Sequence, residues 1–178
     1  MHVRPRVGIS RCLLGDQVRH DGSHRRDETV IALLGPHVEW IPVCPEVETG
    51  MGTPRQPIQL VARPDGVRSK DTTVRLLGVA NGEDWTERMQ TWARDRVREL
   101  ARLGLSGYVF KARSPSCGID DVAVDGLMER AGRGLFAQAL MDALPGLPVT
   151  DEAALADPAC RAHFLSRVLN HQAGPSSR

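Results

Sequence analysis

An α/β fold is predicted: one domain arranged as a sandwich around a mostly parallel, Rossmann-like sheet. Two observations carry that expectation. First, apolar runs of strand length alternate with segments of helical period, and strands joined through helices cross over and lie parallel. Second, three of those runs end alike. Val7-Gly-Ile-Ser10 leads to Cys12, Val38-Glu-Trp-Ile-Pro-Val43 to Cys44, and Gly107-Tyr-Val-Phe110 to Cys117. Right-handed crossovers place all parallel strand ends on one side of a sheet, where ligands of open α/β sheets bind. Cys12, Cys44 and Cys117 are therefore expected together on that side.

Taken in order, Arg6 to Ile9 is the first strand and Ser10 to Gly15 the turn after it. A polar loop from Asp16 to Arg26 holds Arg19, His20, His24, Arg25 and Arg26, and faces either solvent or a substrate. Asp27 can cap a short helix through Leu34, which Gly35-Pro36 ends. Val38 to Val43 reads as a strand covered on both faces, although Glu39 and Pro42 fit that place poorly. Pro45 restricts the backbone beside Cys44 and so holds Glu46 near the same strand end. Glu46 is either an exposed carboxylate or, in a protected pocket beside Cys44, a base whose pKa desolvation and nearby negative charge would raise.

Glu48 to Pro57 is a loop. Its Gly50-Met-Gly52 lacks the strand and helix context of a dinucleotide fingerprint. Its Arg55 suits either the clamping of an anionic or carbonyl group or a surface ion pair. Ile58 to Val61 looks like an edge strand, Pro64-Asp-Gly66 like a turn before Val67-Arg68, and Ser69 to Leu77 takes no firm assignment. Asp84 to Leu103 is the clearest helix, with Asp84 as cap and Glu87 three residues on. Trp85, Met89, Trp92, Leu100 and Leu103 share one face with Arg96, which there needs to snorkel or find a partner. Arg88, Arg94, Arg98 and Arg102 make the outer face basic, and Gly104 stops the helix.

Beyond Cys117, Gly132-Arg-Gly134 opens a helix from Leu135 to Leu144; the two glycines are either an anion cradle or a plain loop. Leu147 to Thr150 is a last short strand, Asp151 to Leu155 is helical, and Asp157-Pro158 separates it from a final helix reaching about Asn170. Cys160 lies there, away from any strand end, and reads as structural. Residues 1–170 are expected to form the single domain and 171–178 a disordered C-terminal tail.

Composition narrows the function. The chain has 178 residues, 41% apolar and 25% charged, enough for one domain with a real core. A net charge of +1 offers no global attraction to nucleic acid or to a membrane surface, so neither is expected as partner. No apolar run approaches the roughly 20 residues of a transmembrane helix, and no apolar signal core follows the basic start. The protein is accordingly read as cytoplasmic, where thiols stay reduced and cysteines more often bind metal or catalyse than form disulfides. Its four cysteines include no C-x-x-C pair, which argues against a zinc ribbon and against a thioredoxin-type motif.

Three cysteines without a fourth are an unusual donor set. Structural zinc takes four protein ligands, and catalytic zinc usually counts histidine or carboxylate among three. Three thiolates and one vacant position suit an iron–sulfur cluster with one open iron, a soft Lewis acid able to take a thiolate or thiocarbonyl sulfur. Glu46 and the Ser114 and Ser116 hydroxyls beside such a centre would make a hydrolytic or sulfur-transfer site. Two other classes compete with the enzyme. One is a non-enzymatic iron–sulfur or metal-binding module with a sulfur-carrying or regulatory role. The other, weaker because it leaves Cys12 and Cys44 unused, is a hydrolase with Cys117 as nucleophile and His20 or His24 as base.

Ser10-Arg-Cys-Leu-Leu-Gly15, Arg19-His-Asp-Gly22, Val43-Cys-Pro-Glu-Val47, Gly52-Thr-Pro-Arg-Gln-Pro57 and Lys111-Ala-Arg-Ser-Pro-Ser-Cys-Gly118 together resemble the motifs of the thiouracil desulfidase family, from about residue 6 to about 150. The resemblance implies a 4Fe–4S cluster on Cys12, Cys44 and Cys117 with one open iron. It implies capture of the sulfur of a thiolated pyrimidine, 2- or 4-thiouracil, and its replacement by water without net redox, giving uracil and sulfide. By the same resemblance Glu46 manages protons and Ser114 sits beside the substrate or its attacking water. Arg55, Asp21, Lys111 and Ser116, all within the matched motifs, are assigned to substrate binding. Arg11 stands before Cys12 where small residues are common in the family, which removes no ligand. The expected partner is a small thiolated nucleobase; monomer and dimer stay equally open.

Overall fold

Strands that alternate with helices must cross over to pair, and the computed structural model, which describes residues 3–64, 72–126 and 132–171, shows that parallel pairing. Strand β1 (Arg6–Ser10) is followed by helix α1 (Glu28–Leu34), strand β2 (Glu39–Val43) and the short helix α2 (Pro45–Glu48). An antiparallel pair, β3 (Ile58–Pro64) and β4 (Thr72–Gly78), precedes the long helix α3 (Thr86–Arg102) and strand β5 (Leu105–Phe110). Then come β6 (Val124–Asp125), α4 (Leu135–Ala143), β7 (Val149–Asp151), α5 (Glu152–Leu155) and α6 (Pro158–Asn170).

The main sheet has the order β2-β1-β5-β7, and each of its three pairings is parallel. The strand order reverses between β1 and β5, which is the place where doubly wound sheets open a crevice. Register levels the strand ends: Ser10 pairs with Val43, Ile9 with Val109 and Phe110 with Asp151. Whatever follows Ser10, Val43, Phe110 and Asp151 is thereby delivered to one edge.

Both faces are covered. Val7, Ile9 and Val109 meet Val30 and Leu34 of α1 and Phe164 and Val168 of α6. Tyr108 and Phe110 meet Ala93, Val97 and Leu100 of α3 and Phe136 and Leu140 of α4. Every residue of β5 is buried, as a central strand with helices on both sides requires. Tyr108 lies flat across β1 because Gly8 leaves room for it; a Cβ at Gly8 would stand 2.2 Å from the ring.

The expected α/β class holds, with differences in detail. Val38 to Val43 is covered on both faces only in part: Trp40 packs on one cluster and Ile41 and Val43 on the other, but β2 is the sheet edge, paired to β1 alone, and only Val43 of it is fully buried. That place explains Pro42, which offers no donor to a further strand, and exposed Glu39, 3.3 Å from Arg6 Nε. Gly35-Pro36 does end α1: Gly35 is its C-cap, right-handed helical at φ −51°, and the chain tightens there into a 3-10 turn, Gly35–His37. Ile58 onward is no edge strand but the centre of a second, three-stranded sheet in the order β4-β3-β6. Its Leu60, Leu76 and Val124 pack on Met89 and on Trp85 and Trp92 of the α3 face.

Asp84 does not cap α3 directly. It accepts the Thr86 amide at 2.9 Å, while Thr86 Oγ1 accepts the Leu76 amide at 2.8 Å and ties the helix to β4. Arg96 finds partners, Glu48 at 3.2 Å and Glu99 at 2.8 Å. Asp27 and Asp157 cap α1 and α6 through the amides of Val30 and Cys160. The turn expected at Asp65-Gly66, Val67-Arg68 and the stretch from Ser69 to Asp71 lie outside the described residues, as do residues 172–178 of the expected tail.

Candidate active site

Each of the three strand-end cysteines is presented by a different local device. Cys12 lies in a 3-10 turn, Arg11–Leu14, closed by left-handed Gly15 at φ 102°. Its carbonyl accepts the Arg25 amide at 2.9 Å, which fastens the polar loop over the strand end. Cys44 is the N-cap of α2, and Pro45 occupies the first helical position, where no donor is missed. The Cys44 amide is taken by Glu48 Oε1 at 3.0 Å, and Glu48 Oε2 is anchored by Arg96 of α3.

Cys117 sits in the turn after β5. Ser114 Oγ accepts the amides of Ser116 at 3.3 Å and Cys117 at 3.2 Å, and the Gly118 amide reaches Ser114 O at 2.8 Å. The first turn of α4 then holds this loop from behind. Leu135 N donates to Pro115 O, and Phe136 N and Ala137 N both donate to Ser116 O. The glycines before α4 are thus no anion cradle: the helix amides are spent on the loop backbone. A Cβ at Gly134 would lie 2.3 Å from the Ser116 carbonyl carbon, so glycine there sets how closely loop and helix approach.

Cys12, Cys44 and Cys117 line one cavity of about 490 Å³ together with Glu46, Lys111 and Ser114. They are 9%, 4% and 3% exposed, and all are free thiols. Burial pushes the Cys12 thiol up to about 11 and the Cys44 thiol up to about 12, with the Glu46 carboxylate adding to both. Burial raises Cys117 too, again with Glu46 second. Burial outweighs the cations near these thiols, Lys111 and Arg19 at Cys12 and Arg55 at Cys44, and a metal centre bound directly to sulfur would favour the thiolates instead. Among the described residues no three histidine, cysteine or carboxylate side chains converge closely enough for a single ion. Three thiols lining one cavity fit a polynuclear sulfur-rich group, whose metals are themselves spread over several ångströms.

Glu46 is 15% exposed at its side chain and is held on both oxygens. Oε1 accepts the Ser116 hydroxyl, and Oε2 accepts Arg55 Nη2 at 3.2 Å. Cys44 Sγ is 3.6 Å from Oε2. Ser114 Oγ and Ser116 Oγ are 3.0 Å apart, so Ser114 in the cavity connects through Ser116 to Glu46. Oε1 keeps a further lone pair for a proton donor in the cavity, whereas Oε2 accepts both Arg55 Nη2 and the Cys44 thiol.

The other expected site residues are distributed unevenly. Lys111 faces the cavity and is bonded to Glu152, whose other oxygen accepts the Ala112 amide at 2.7 Å. Arg55 lines the cavity with its guanidinium turned to protein. Ser116 is fully buried behind the wall, where it contacts Glu46 and Cys117. Asp21 is an exposed turn residue bonded to the Ser23 amide and hydroxyl, and it is not part of the cavity lining. His20 lines the cavity, whereas His24 Nδ1 accepts the Arg26 amide outside it. Cys117 has hydroxyls of Ser10 and Ser116 for company and no histidine partner among the described residues, so the nucleophile–base pair with His20 or His24 has no counterpart there. Cys160 is exposed on α6 rather than a buried structural residue.

Sequence reasoning missed Glu152 and Glu48. Glu152 follows β7 as the cysteines follow their strands, so the same strand-end logic would have found it. Glu48 bears on the site through a backbone amide, which no spacing reveals. Arg19 lines the cavity with a buried Nε that has no partner.

A family model described as 2-thiouracil desulfurase matches residues 7–152, a span that holds all three cavity cysteines, Glu46 and Glu152. The uncharacterized protein YbbK of Bacillus subtilis (strain 168) is 31% identical over 110 residues, 62% of this chain and 71% of that protein. The solved structure of the 4Fe–4S-dependent thiouracil desulfidase TudS is similar with a TM-score of 0.68 at 26% identity, covering 90% of this chain and 99% of that one. No helix among the described residues is long and apolar enough to cross a membrane.

Proposed function

The chain belongs to the 2-thiouracil desulfurase family, and from that premise we propose that it hydrolyses a thiolated pyrimidine, 2- or 4-thiouracil, to uracil and sulfide. Water supplies the oxygen, the ring carbon exchanges sulfur for it, the sulfur leaves as hydrogen sulfide, and no electrons are transferred. The observation that carries the reading is the meeting of three cysteines from three strand ends with one braced carboxylate on a single cavity.

Cys12, Cys44 and Cys117 would hold a 4Fe–4S cluster, leaving one iron without a protein ligand. When bound, the cluster supplies a soft Lewis acid for the thiocarbonyl sulfur and polarises the carbon–sulfur bond. Glu46 takes a proton from the attacking water at Oε1 and returns it to the departing sulfide. Ser114 orients the water or the ring, and Lys111, held by Glu152, offers a cationic donor to the pyrimidine. The buried floor keeps bulk water from the reacting carbon. Reduced thiols and an exposed iron suit a cytoplasmic, oxygen-protected setting.

Protein isolated without oxygen should contain iron and sulfide and should release sulfide from thiouracil. Glu46→Gln keeps the shape and removes the base. It should retain cluster and substrate binding and turn over about 10²–10⁴-fold more slowly. Iron content, substrate binding and sulfide release are measured on one sample. Normal turnover in Glu46→Gln would make Glu46 a bystander. Loaded wild-type protein that binds thiouracil without releasing sulfide would favour a non-enzymatic cluster module instead.

A further inference from the structure

The Arg55 guanidinium is 8% exposed and is spent on protein. Nη2 meets Glu46 Oε2 at 3.2 Å. Nη1 donates to Val18 O and to Gly52 O, both at 2.9 Å. Its own backbone amide donates to His20 O at 2.8 Å. One residue thus ties three parts of the cavity wall: the carboxylate on α2, the loop carrying Val18, Arg19 and His20, and the turn at Gly52. Only Nε is left over, and it is buried. A planar fork with five donors is suited to such bridging, and lysine, a point charge, is not.

We propose that Arg55 is the positioning residue for Glu46. It fixes the carboxylate against the Ser116 hydroxyl and couples its placement to the loop of residues 18–20, without contacting the substrate. The inference rests on the reading of Glu46 as the proton carrier. Because Arg55 acts through Glu46, its loss belongs in kcat. A clamp on the substrate would appear mainly in KM.

The test uses loaded protein and thiouracil. Arg55→Lys and Arg55→Met are each made alone and with Glu46→Gln. We expect each single variant to lower kcat by about 10- to 100-fold, the usual cost of losing a partner that orients a site residue. KM should stay within about twofold of wild type. In the Glu46→Gln background the same changes should lower kcat by less than about threefold, since two residues acting as one unit are not additive. In protein without cluster, amide exchange at Arg19, Gly22 and Arg55 should accelerate in both Arg55 variants.

A raised KM with kcat unchanged would make Arg55 a substrate ligand and overturn the proposal. Multiplicative losses in the double variants would overturn it too, by showing a route independent of Glu46. Failure of both Arg55→Lys and Arg55→Met to hold iron would do the same, because Arg55 would then belong to the scaffold. Normal turnover of Glu46→Gln alone would instead sink the underlying reading of Glu46, so the two failures are told apart.

Discussion

Gly134→Ala isolates a single contact. At φ −63° and ψ 143°, residue 134 has a backbone conformation that alanine adopts freely, so intrinsic preference does not oppose the change. The added Cβ would lie 2.3 Å from Ser116 C, 2.5 Å from Ser116 O and 2.6 Å from Cys117 N. All three are backbone atoms, and relief needs the 114–118 loop or α4 to move by about 1 Å. Overpacking of this kind costs about 1–3 kcal/mol. The same shift loosens the bonds from Leu135 and Phe136 amides to Pro115 and Ser116 carbonyls, each worth about 0.5–1.5 kcal/mol net. Restricting the unfolded chain returns about 0.4–1 kcal/mol. A net loss of about 2–4 kcal/mol is expected, read as a lower urea midpoint at constant slope in cluster-free protein. Because the moving atoms carry Cys117, anaerobic reconstitution should also yield less iron per chain. Gly146→Ala is the control: nothing lies within 4 Å of a Cβ there, and the change should stay within about 0.5 kcal/mol. Gly134→Ala matching Gly146→Ala in both stability and iron content would refute the close-approach argument.

Four further outcomes are expected, of which the Glu46→Gln loss of turnover is given above. Cys12→Ser, Cys44→Ser and Cys117→Ser should each lose the cluster while Cys160→Ser keeps it; full iron and sulfide in any of the first three would remove that cysteine from the ligand set. Glu48→Gln leaves the Cys44 amide an acceptor but breaks the charge pair to Arg96, so iron should be lost to a chelator faster than in wild type, by about 10-fold; an unchanged rate would show that the Arg96 anchor is idle. Asp157 is held below the usual carboxylate value of 3.8 chiefly by the Cys160 amide at the α6 N-terminus, so its contribution is full above that value and fades as pH falls through the lower folded one. Wild type should therefore lose its stability margin over Asp157→Asn on acidification from pH 5 toward pH 3, and a margin constant with pH would contradict this.

Much of the site was legible because it depends on order along the chain. An apolar run, then a turn, then a cysteine, three times over, needs only parallel pairing to become one cavity edge, and parallel pairing follows from the helices between. Val43-Cys44-Pro45-Glu46 announced a carboxylate near a ligand because proline leaves the connecting backbone little freedom. The long helix over α3 was legible for the same reason of short range, its buried stripe repeating at helical period.

What the chain could not disclose depends on partners distant in sequence. Arg55 reads equally as a clamp or as an ion-pair partner, and that Val18, Gly52 and Glu46 close around it from three segments shows only in the fold. Ser116 looks like a cavity hydroxyl until the α4 amides draw its carbonyl down and bury it. The apolar residues of Val38 to Val43 say that its faces meet a core, and they do not say whether a neighbour strand exists on the second edge. The second sheet was hidden for a related reason, since β4 (Thr72–Gly78) pairs antiparallel with β3 and has no period that stands out alone. Residue type and order decided which groups reach the edge of the sheet. Only the folding of distant segments onto one another decided which of them face the cavity and which brace it, because a side chain's donors are claimed by whatever the tertiary structure places nearest.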